Sequence, residues 1–465
     1  MTIDEHQKEL YSILAPERCY DLKWHEFFAG ETRGAAAWLA SLTDSDALNK
    51  AITALLGQTG AIRSAHEALC RLPSGDVSIL SQKNDFANEI LKGHAVFFFE
   101  PFPEGFSADL KHFPVRGVDE PQKNRTLRGP HLGFNENMAS SLALIRRHLR
   151  SARFSAELFS LGKEVQNDAA LLYIKGKADE KNLDFLRKKL KKIRLPSLSM
   201  TQDTLVNALF PRKGASLFNP FPRVRFTERP DVVAATLLEG KIALLCDNTP
   251  SAILLPESVF DFFEEADDYY FPPLTASYLR IVRGFIFFAS VFLVPAWLLF
   301  AKHREFLPAG LNFAVQHEEM AVPLFLQCLI IELALDGLRM ASLNTPDPLS
   351  NSFSIVGGLL LGDFAVKSGW FIPQTILYSS FTAIANFVPA NYELGYSFKF
   401  IRISLILLVQ FFDHWGMIFG VIFWGLVLFS TKTSAGKRYL YPFLPFDFKG
   451  VRKLFFKGTR GKESE

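Results

Sequence analysis

Two carboxylates, Glu332 and Asp336, stand four residues apart in Ala321–Leu343, a stretch long enough to span a bilayer that also holds Arg339. On a helix that spacing puts both on one face. A charge at mid-membrane costs at least about 2.5–3.5 kcal/mol, so such a face must look at protein or water rather than lipid. Two chemistries fit. Lining water, the acids would select cations, as rings of acidic side chains do; buried, they would form an internal salt bridge with Arg339 or with a neighbouring helix. Glu318 and Glu319, just before this helix, fit a mouth ring or ordinary solvated charges. Asp363 and Lys367, four apart, fit a mutual helix pair.

A second concentration of charge lies in residues 120–150, where Arg125, Arg128, Arg146, Arg147 and Arg150 flank a Gly129-Pro130 turn and an amphipathic helix. Asn135 or Asn137 is placed to cap that helix. The arginines fit an anion or phosphate site, or a structural hub that pairs carboxylates between lobes or subunits. Neither a glycine cradle nor a catalytic base accompanies them. The chain has no GxGxxG after a strand, no Walker lysine loop, no GxSxG and no HExxH. Its four cysteines (Cys19, Cys70, Cys246, Cys328) are too dispersed for a disulfide framework or a zinc site. Histidines such as His94, His112, His131 and His148 are scattered. Catalysis, a cofactor and a bound metal are therefore not expected, and a net charge of +3 points to no nucleic-acid partner.

The elements that must position these residues fall into two halves. In the first, His94–Glu100, Ala170–Ile174, Lys241–Cys246 and Ser251–Leu255 read as strands, the last two around the turn Asp247-Asn248-Thr249-Pro250. Asp85–Lys92, Ala178–Ile193 and Val232–Leu238 read as helices. Such alternation predicts α/β layers. The Pro/Gly-rich stretch 101–130 divides them into an N-terminal lobe, 1–114, and a second lobe, 115–275. The polar start MTIDEHQKEL is no export signal, which leaves both lobes on the cytoplasmic side.

The second half, 276–431, reads as an all-α, multi-span membrane domain. Gly284–Ala301 carries no charge over 18 residues, long enough with its flanks to cross a core of roughly 30 Å. Ser368–Tyr392 is an uncharged span broken by Pro373 and Pro389, and Phe353–Gly362 is too short to cross. Phe398–Phe412 and Trp415–Ser430, separated by Asp413-His414, read as a tight helical hairpin or one kinked helix, with Lys399 and Arg402 snorkelling to the interface. The tail 432–465 holds nine Lys/Arg against three Asp/Glu, which places that end inside. With the lobes also inside, the number of crossings is even, and four are expected.

Ordered blocks then carry a family resemblance. They are Arg128-Gly-Pro with Gly133-Phe134 and Glu136-Asn137, Leu144-Ile-Arg-Arg147, Thr227-Glu-Arg-Pro-Asp231, Leu237-Leu-Glu-Gly-Lys241, Asp247-Asn-Thr-Pro250, Asp261-Phe-Phe263 with Asp268-Tyr-Tyr270, Leu338-Arg-Met-Ala-Ser342, and Tyr441-Pro-Phe-Leu-Pro-Phe446. With them the chain resembles the A subunits of GerA-type spore germinant receptors, and in its membrane half the stage V sporulation branch of that family. The turn departs from the pattern at Asn248, where the family usually has Gly or Ser. The resemblance implies a multi-pass protein of the spore inner membrane with its lobes facing the core. It further implies an oligomeric ion-channel subunit, made of copies of itself beside other germination membrane proteins, that mediates or amplifies release of monovalent cations. The alternative is a non-conducting scaffold that assembles partner subunits and signals through its lobes.

Overall fold

The computed structural model of the chain describes residues 1–72, 74, 76–111, 126, 128–162, 166–193, 201–212, 214–307, 310, 315, 321–343, 366–386, 388, 391–434, 436, 438–448, 450 and 451. Met1–Arg212 with Val224–Pro256 make one compact unit, and Lys213–Arg223 with Glu257–Glu465 a second.

The first unit opens with α1 (Ile3–Ile13), β1 (Leu22–Ala29), β2 (Thr32–Leu39), α2 (Ser45–Leu56), α3 (Ala65–Arg71), β3 (Val77–Leu80), α4 (Lys83–Lys92), β4 (Ala95–Phe99) and β5 (Gly105–Ala108). Local chemistry sets the helix starts. Thr2 and Glu5 form a capping box at α1, and the Asp44 carboxylate accepts the backbone N–H of Asp46 and Ala47 at α2. The strands pair in the order β1-β2-β4-β5-β3, every ladder antiparallel. All five residues of β4 are buried because helices cover both faces. Val96 and Phe98 join the core with α1 and α4, while Ala95, Phe97 and Phe99 join that with α2 and α3, the two-residue alternation of a strand.

The unit continues with α5 (Met138–His148), β6 (Phe154–Leu161), β7 (Asn167–Ile174), α6 (Glu180–Lys192), α7 (Thr201–Leu209), β8 (Arg225–Thr227), α8 (Pro230–Leu238), β9 (Ile242–Cys246) and β10 (Ala252–Leu255). Their strand order is β6-β7-β9-β10-β8, again antiparallel throughout. This is the first module over again, helix for helix and strand for strand. α8, β9 and β10 each begin 147 residues after α4, β4 and β5 (Lys83 and Pro230, Ala95 and Ile242, Gly105 and Ala252). The alternation read from the sequence does build layers of helix and sheet, and the sheets within them are antiparallel. The modules join edge to edge: Cys19 and Ala156 form a parallel bridge, and Ala156 donates to the Arg18 carbonyl at 2.6 Å.

The second unit is helical: α9 (Pro273–Lys302), α10 (Leu324–Leu343), α11 (Pro373–Ala385) and α12 (Tyr392–Ser430). α12 folds back on itself at Asp413, whose φ of 51° and ψ of −131° break the helix. Its arms, 392–412 and 414–430, lie side by side, with Trp424 Nε1 donating to Ser404 Oγ at 2.7 Å. At Gly416 a Cβ would run into the Leu408 carbonyl of the other arm, so only glycine permits this approach. The tight hairpin is thus the form adopted. By length and composition α9 and α12 are long and apolar enough to cross a membrane.

Candidate functional site

α10 presents Glu332 and Asp336 toward the first arm of α12, which meets them with Lys399 and Arg402. Arg402 donates through Nε and Nη2 to the two Glu332 carboxylate oxygens at 2.6 and 3.1 Å, and through Nη1 to the Ser290 carbonyl of α9 at 2.7 Å. Lys399 Nζ donates to the Glu332 carbonyl at 2.9 Å, lies 3.3 Å from its carboxylate, and pairs with Asp336 at 2.6 Å. Two acids meet two bases, so the cluster is neutral. Arg402 is fully buried and Glu332 is 3% exposed, whereas the Asp336 side chain keeps 31% of its surface.

The cations on the acids therefore come from the neighbouring helix, and Arg339 instead lies over the rings of Tyr392 and Tyr396 at 4.7 and 5.2 Å. The snorkelling read for Lys399 and Arg402 does not occur. A buried charge with a bidentate or short-range partner has its desolvation offset without reaching water. Sequence reasoning missed them as partners, although a basic pair three apart opposite an acidic pair four apart is a readable complementarity. Arg125, Glu318, Glu319 and Asp363 lie outside the described residues.

A second charged cluster, unforeseen as such, sits at the start of α9. Asp268, fully buried, accepts from Arg280 Nε at 3.0 Å and from Arg283 Nη1 at 3.2 Å. Glu264 pairs with Arg280 at 3.0 Å and Glu265 with Arg283 at 3.1 Å, while Arg283 also donates to the Phe263 carbonyl. The short 3-10 turns Val259–Phe263 and Ala266–Tyr269 are thereby fastened to the helix. At the far end of α9, Lys302 Nζ holds Asp413 at 2.7 Å.

Of the arginines in the first unit, Arg146 is buried in α5 and makes a bidentate pair with Asp21, Nε to Oδ2 at 2.7 Å and Nη2 to Oδ1 at 2.6 Å. The pair joins the second module to the segment leading into β1. Cys19 lies against the same guanidinium; burial raises its thiol pKa, with Arg146 opposing. Arg128 and Arg147 are exposed. Asn137 is the cap of α5, its side chain accepting from the Ser140 N–H at 3.0 Å. Among the described residues no group of three or more His, Cys, Asp or Glu is placed to hold a metal ion.

Blocks far apart in sequence converge here. Phe134 donates to the Glu228 carbonyl at 2.8 Å, Asn248 to the Glu136 carbonyl at 2.9 Å, and Met138 to Asp247 Oδ1 at 3.3 Å. Arg229 gathers the same region: it is bidentate to Asp231 at 3.1 and 2.8 Å and donates to Thr126 Oγ1 at 2.8 Å and the Pro130 carbonyl at 3.0 Å.

The chain thus combines a two-module α/β unit with a helical unit that buries its ion pairs. The family model described as Bacillus/Clostridium GerA spore germination protein matches residues 8–464, and the chain belongs to that family. It is 31% identical over 390 residues to the stage V sporulation protein AF of Bacillus subtilis strain 168, covering 84% of this chain and 78% of that protein. Spore germination protein KA of the same strain is 30% identical over 431 residues, covering 91% and 78%. The crystal structure of the N-terminal domain of the A subunit of the Bacillus megaterium spore germinant receptor GerK3 aligns at 22% identity and a TM-score of 0.39, over 55% of this chain and 94% of that one.

Proposed function

We propose that the chain acts in spore germination as a membrane-embedded subunit that assembles with copies of itself and passes cations. In this reading Asp336 faces the path, and Glu332 is the fixed anchor beside it. The observation that carries the membrane placement is an inversion of polarity in the helical unit. Glu332, Lys399, Arg402, Arg280 and Asp268 are buried, while Phe285 and Phe411 are 68% and 71% exposed. Water would drive the opposite arrangement; hydrocarbon favours this one. Exposed Trp370 and Trp415 suit an interfacial belt. The first unit and the basic tail then lie on the core side of the inner membrane. α9 and the two arms of α12 supply three crossings, and α10, about 30 Å long, supplies the fourth that this topology requires.

Asp336 is the better candidate for the path because one pairing with Lys399 leaves it partly open, whereas Glu332 is enclosed by two cations. A second reading, the non-conducting scaffold that assembles with other germination proteins, draws on the same pairs, since a cluster of two acids and two bases offers an ion no net charge. Flux of monovalent cations through the full chain reconstituted in liposomes separates the two. Conduction by the wild type, with selectivity altered by Asp336→Asn, is the expected result. Unchanged selectivity moves the path away from Asp336. An intact oligomer that does not conduct leaves the scaffold.

A further inference from the structure

One feature of the helical unit has no part in the ion path. A cavity of about 350 Å³ runs between α9 and the second arm of α12, with the first arm as its floor. Its walls are apolar: Phe287 and Val291 on α9, Ile401 and Leu405 on the floor, Trp424 and Leu428 on the second arm. Gly284 and Gly425 line it with open space where a side chain would stand. The size is that of a small-molecule site. At the α9 start it meets a second hollow of about 310 Å³, which shares Phe260, Phe263 and Gly284 and adds Arg280 and Glu264.

We infer that this cavity holds one acyl chain of a membrane phospholipid, with a zwitterionic headgroup at the Arg280–Glu264 mouth. The inference rests on the membrane reading above. Three observations select this occupant. The shaft offers no charged side chain, so a polar or ionic ligand would lose its hydration without compensation. The rim is continuous with the exposed apolar faces of α9 and α12, through Phe288 at 63% and Val421 at 42% exposure, so the opening faces whatever covers those faces. The mouth carries both signs within 3.0 Å, Arg280 beside Glu264, which matches a phosphate and an amine on one headgroup better than an anion alone. An unfilled groove would forfeit the dispersion contacts of its lining; a chain of methylenes restores them.

The test uses the full chain in liposomes doped with a phosphatidylethanolamine carrying a photoreactive diazirine on its acyl chain. Adducts are mapped by peptide mass spectrometry. The expected result is labelling concentrated on Phe288, Val421 and Trp424. Gly284→Leu and Gly425→Leu should each lower that labelling several-fold while leaving labelling at exposed Phe411 unchanged, an internal check that the variant is folded and inserted. Labelling at Phe288 and Val421 no higher than at Phe411, or insensitive to both glycine variants, overturns the acyl-chain site while the membrane reading stands. A photoreactive diazirine residue placed at Val421 that cross-links to a second copy of the chain, and not to lipid, overturns it in favour of a subunit contact. No labelling anywhere on α9 or α12 sinks the membrane reading, and the site with it.

Discussion

In the first module Phe97 and Phe99 pack beneath α2 and α3; 147 residues later Leu244 and Cys246 pack beneath α6 and α7. Val96 and Phe98 turn to α1 and α4, as Ala243 and Leu245 turn to the side of α5 and α8. A phenylalanine-rich central strand in one module and one without aromatics in the other give the same topology, as expected when burial pattern outweighs side-chain identity. Charge is where the modules part. At the head of α4 stands Gln82, a cap without a side-chain hydrogen bond; at the equivalent head of α8 stands Arg229, which binds Asp231, Thr126 and the Pro130 carbonyl. Counted from their helix starts, Tyr11 of α1 matches Arg146 of α5, and Tyr11 packs edge-on against Trp24 and accepts from Gln7 Nε2 of its own helix at 3.3 Å. The module therefore folds without either arginine. Both belong to the joints, Arg146 between modules and Arg229 between the second module and the segment that precedes it.

The largest test of that division is Arg146→Met. It leaves Asp21, 3% exposed and accepting from Ser41 Oγ at 2.6 Å, as a buried carboxylate without a counter-charge, a loss of about 3–5 kcal/mol. The double variant Asp21→Leu with Arg146→Met should regain most of it, because a buried ion pair replaced by apolar groups of similar volume is often near neutral. Chemical denaturation of the full chain in detergent, with hydrogen exchange read at β1 and β6, measures both. A single variant as stable as wild type would remove Arg146 from the joint.

How far these joints were legible follows from what each element needs. Short-range signals were readable: the buried run of β4, the β9–β10 hairpin around Asp247–Pro250, Asn137 as a cap, and the glycine-lined hairpin of α12. Each is fixed within about ten residues of chain. β1 and β2 escaped because Leu22–Leu39 mixes charge and alanine without clean alternation, and only the pairing with β4 stabilises it as sheet. The repeat left a trace, Ile90-Leu-Lys-Gly93 before β4 and Leu237-Leu-Glu-Gly240 before β9, that is faint unless the spacing is known. At the candidate site the two acids were visible as an expensive pair, while their cations, some 65 residues on, looked like ordinary interfacial bases. Long-range complementarity is set by packing, which a one-dimensional pattern does not contain.

A smaller effect sharpens the comparison at α8. Arg229→Gln gives the second module the residue that the first carries at this place. Asp231 keeps one possible amide donor but loses a bidentate partner, for about 2 kcal/mol. The β7-β9-β10 ladder should persist, and the loss should appear as faster proteolysis near residues 126–130, where Thr126 and Pro130 are released. Collapse of the second sheet itself would show that Arg229 is needed for the module, and the equivalence with Gln82 would fail.

The smallest effect uses the repeat directly. Gly93 and Gly240 occupy the same place after α4 and α8, with φ of 99° and 89°, a left-handed conformation that L side chains adopt at a cost of roughly 1–2 kcal/mol. Alanine should strain both, but their surroundings differ. At Gly93 the added Cβ would come 3.0 Å from Lys111 Cγ and 3.3 Å from the Leu42 Cβ and carbonyl oxygen, contacts that a shift of a few tenths of an ångström relieves; at Gly240 it would come 2.7 Å from the Lys177 carbonyl oxygen, a closer clash with backbone. Gly93→Ala should thus cost about 1 kcal/mol and Gly240→Ala about 2 kcal/mol. Thermal melts of the two variants in parallel read the difference, with Gly240→Ala the lower. Equal melts would mean that the Lys177 turn yields as easily as the contacts around Gly93. The reverse order would mean that the first module, despite its looser contact at this glycine, depends more on the turn than its copy does.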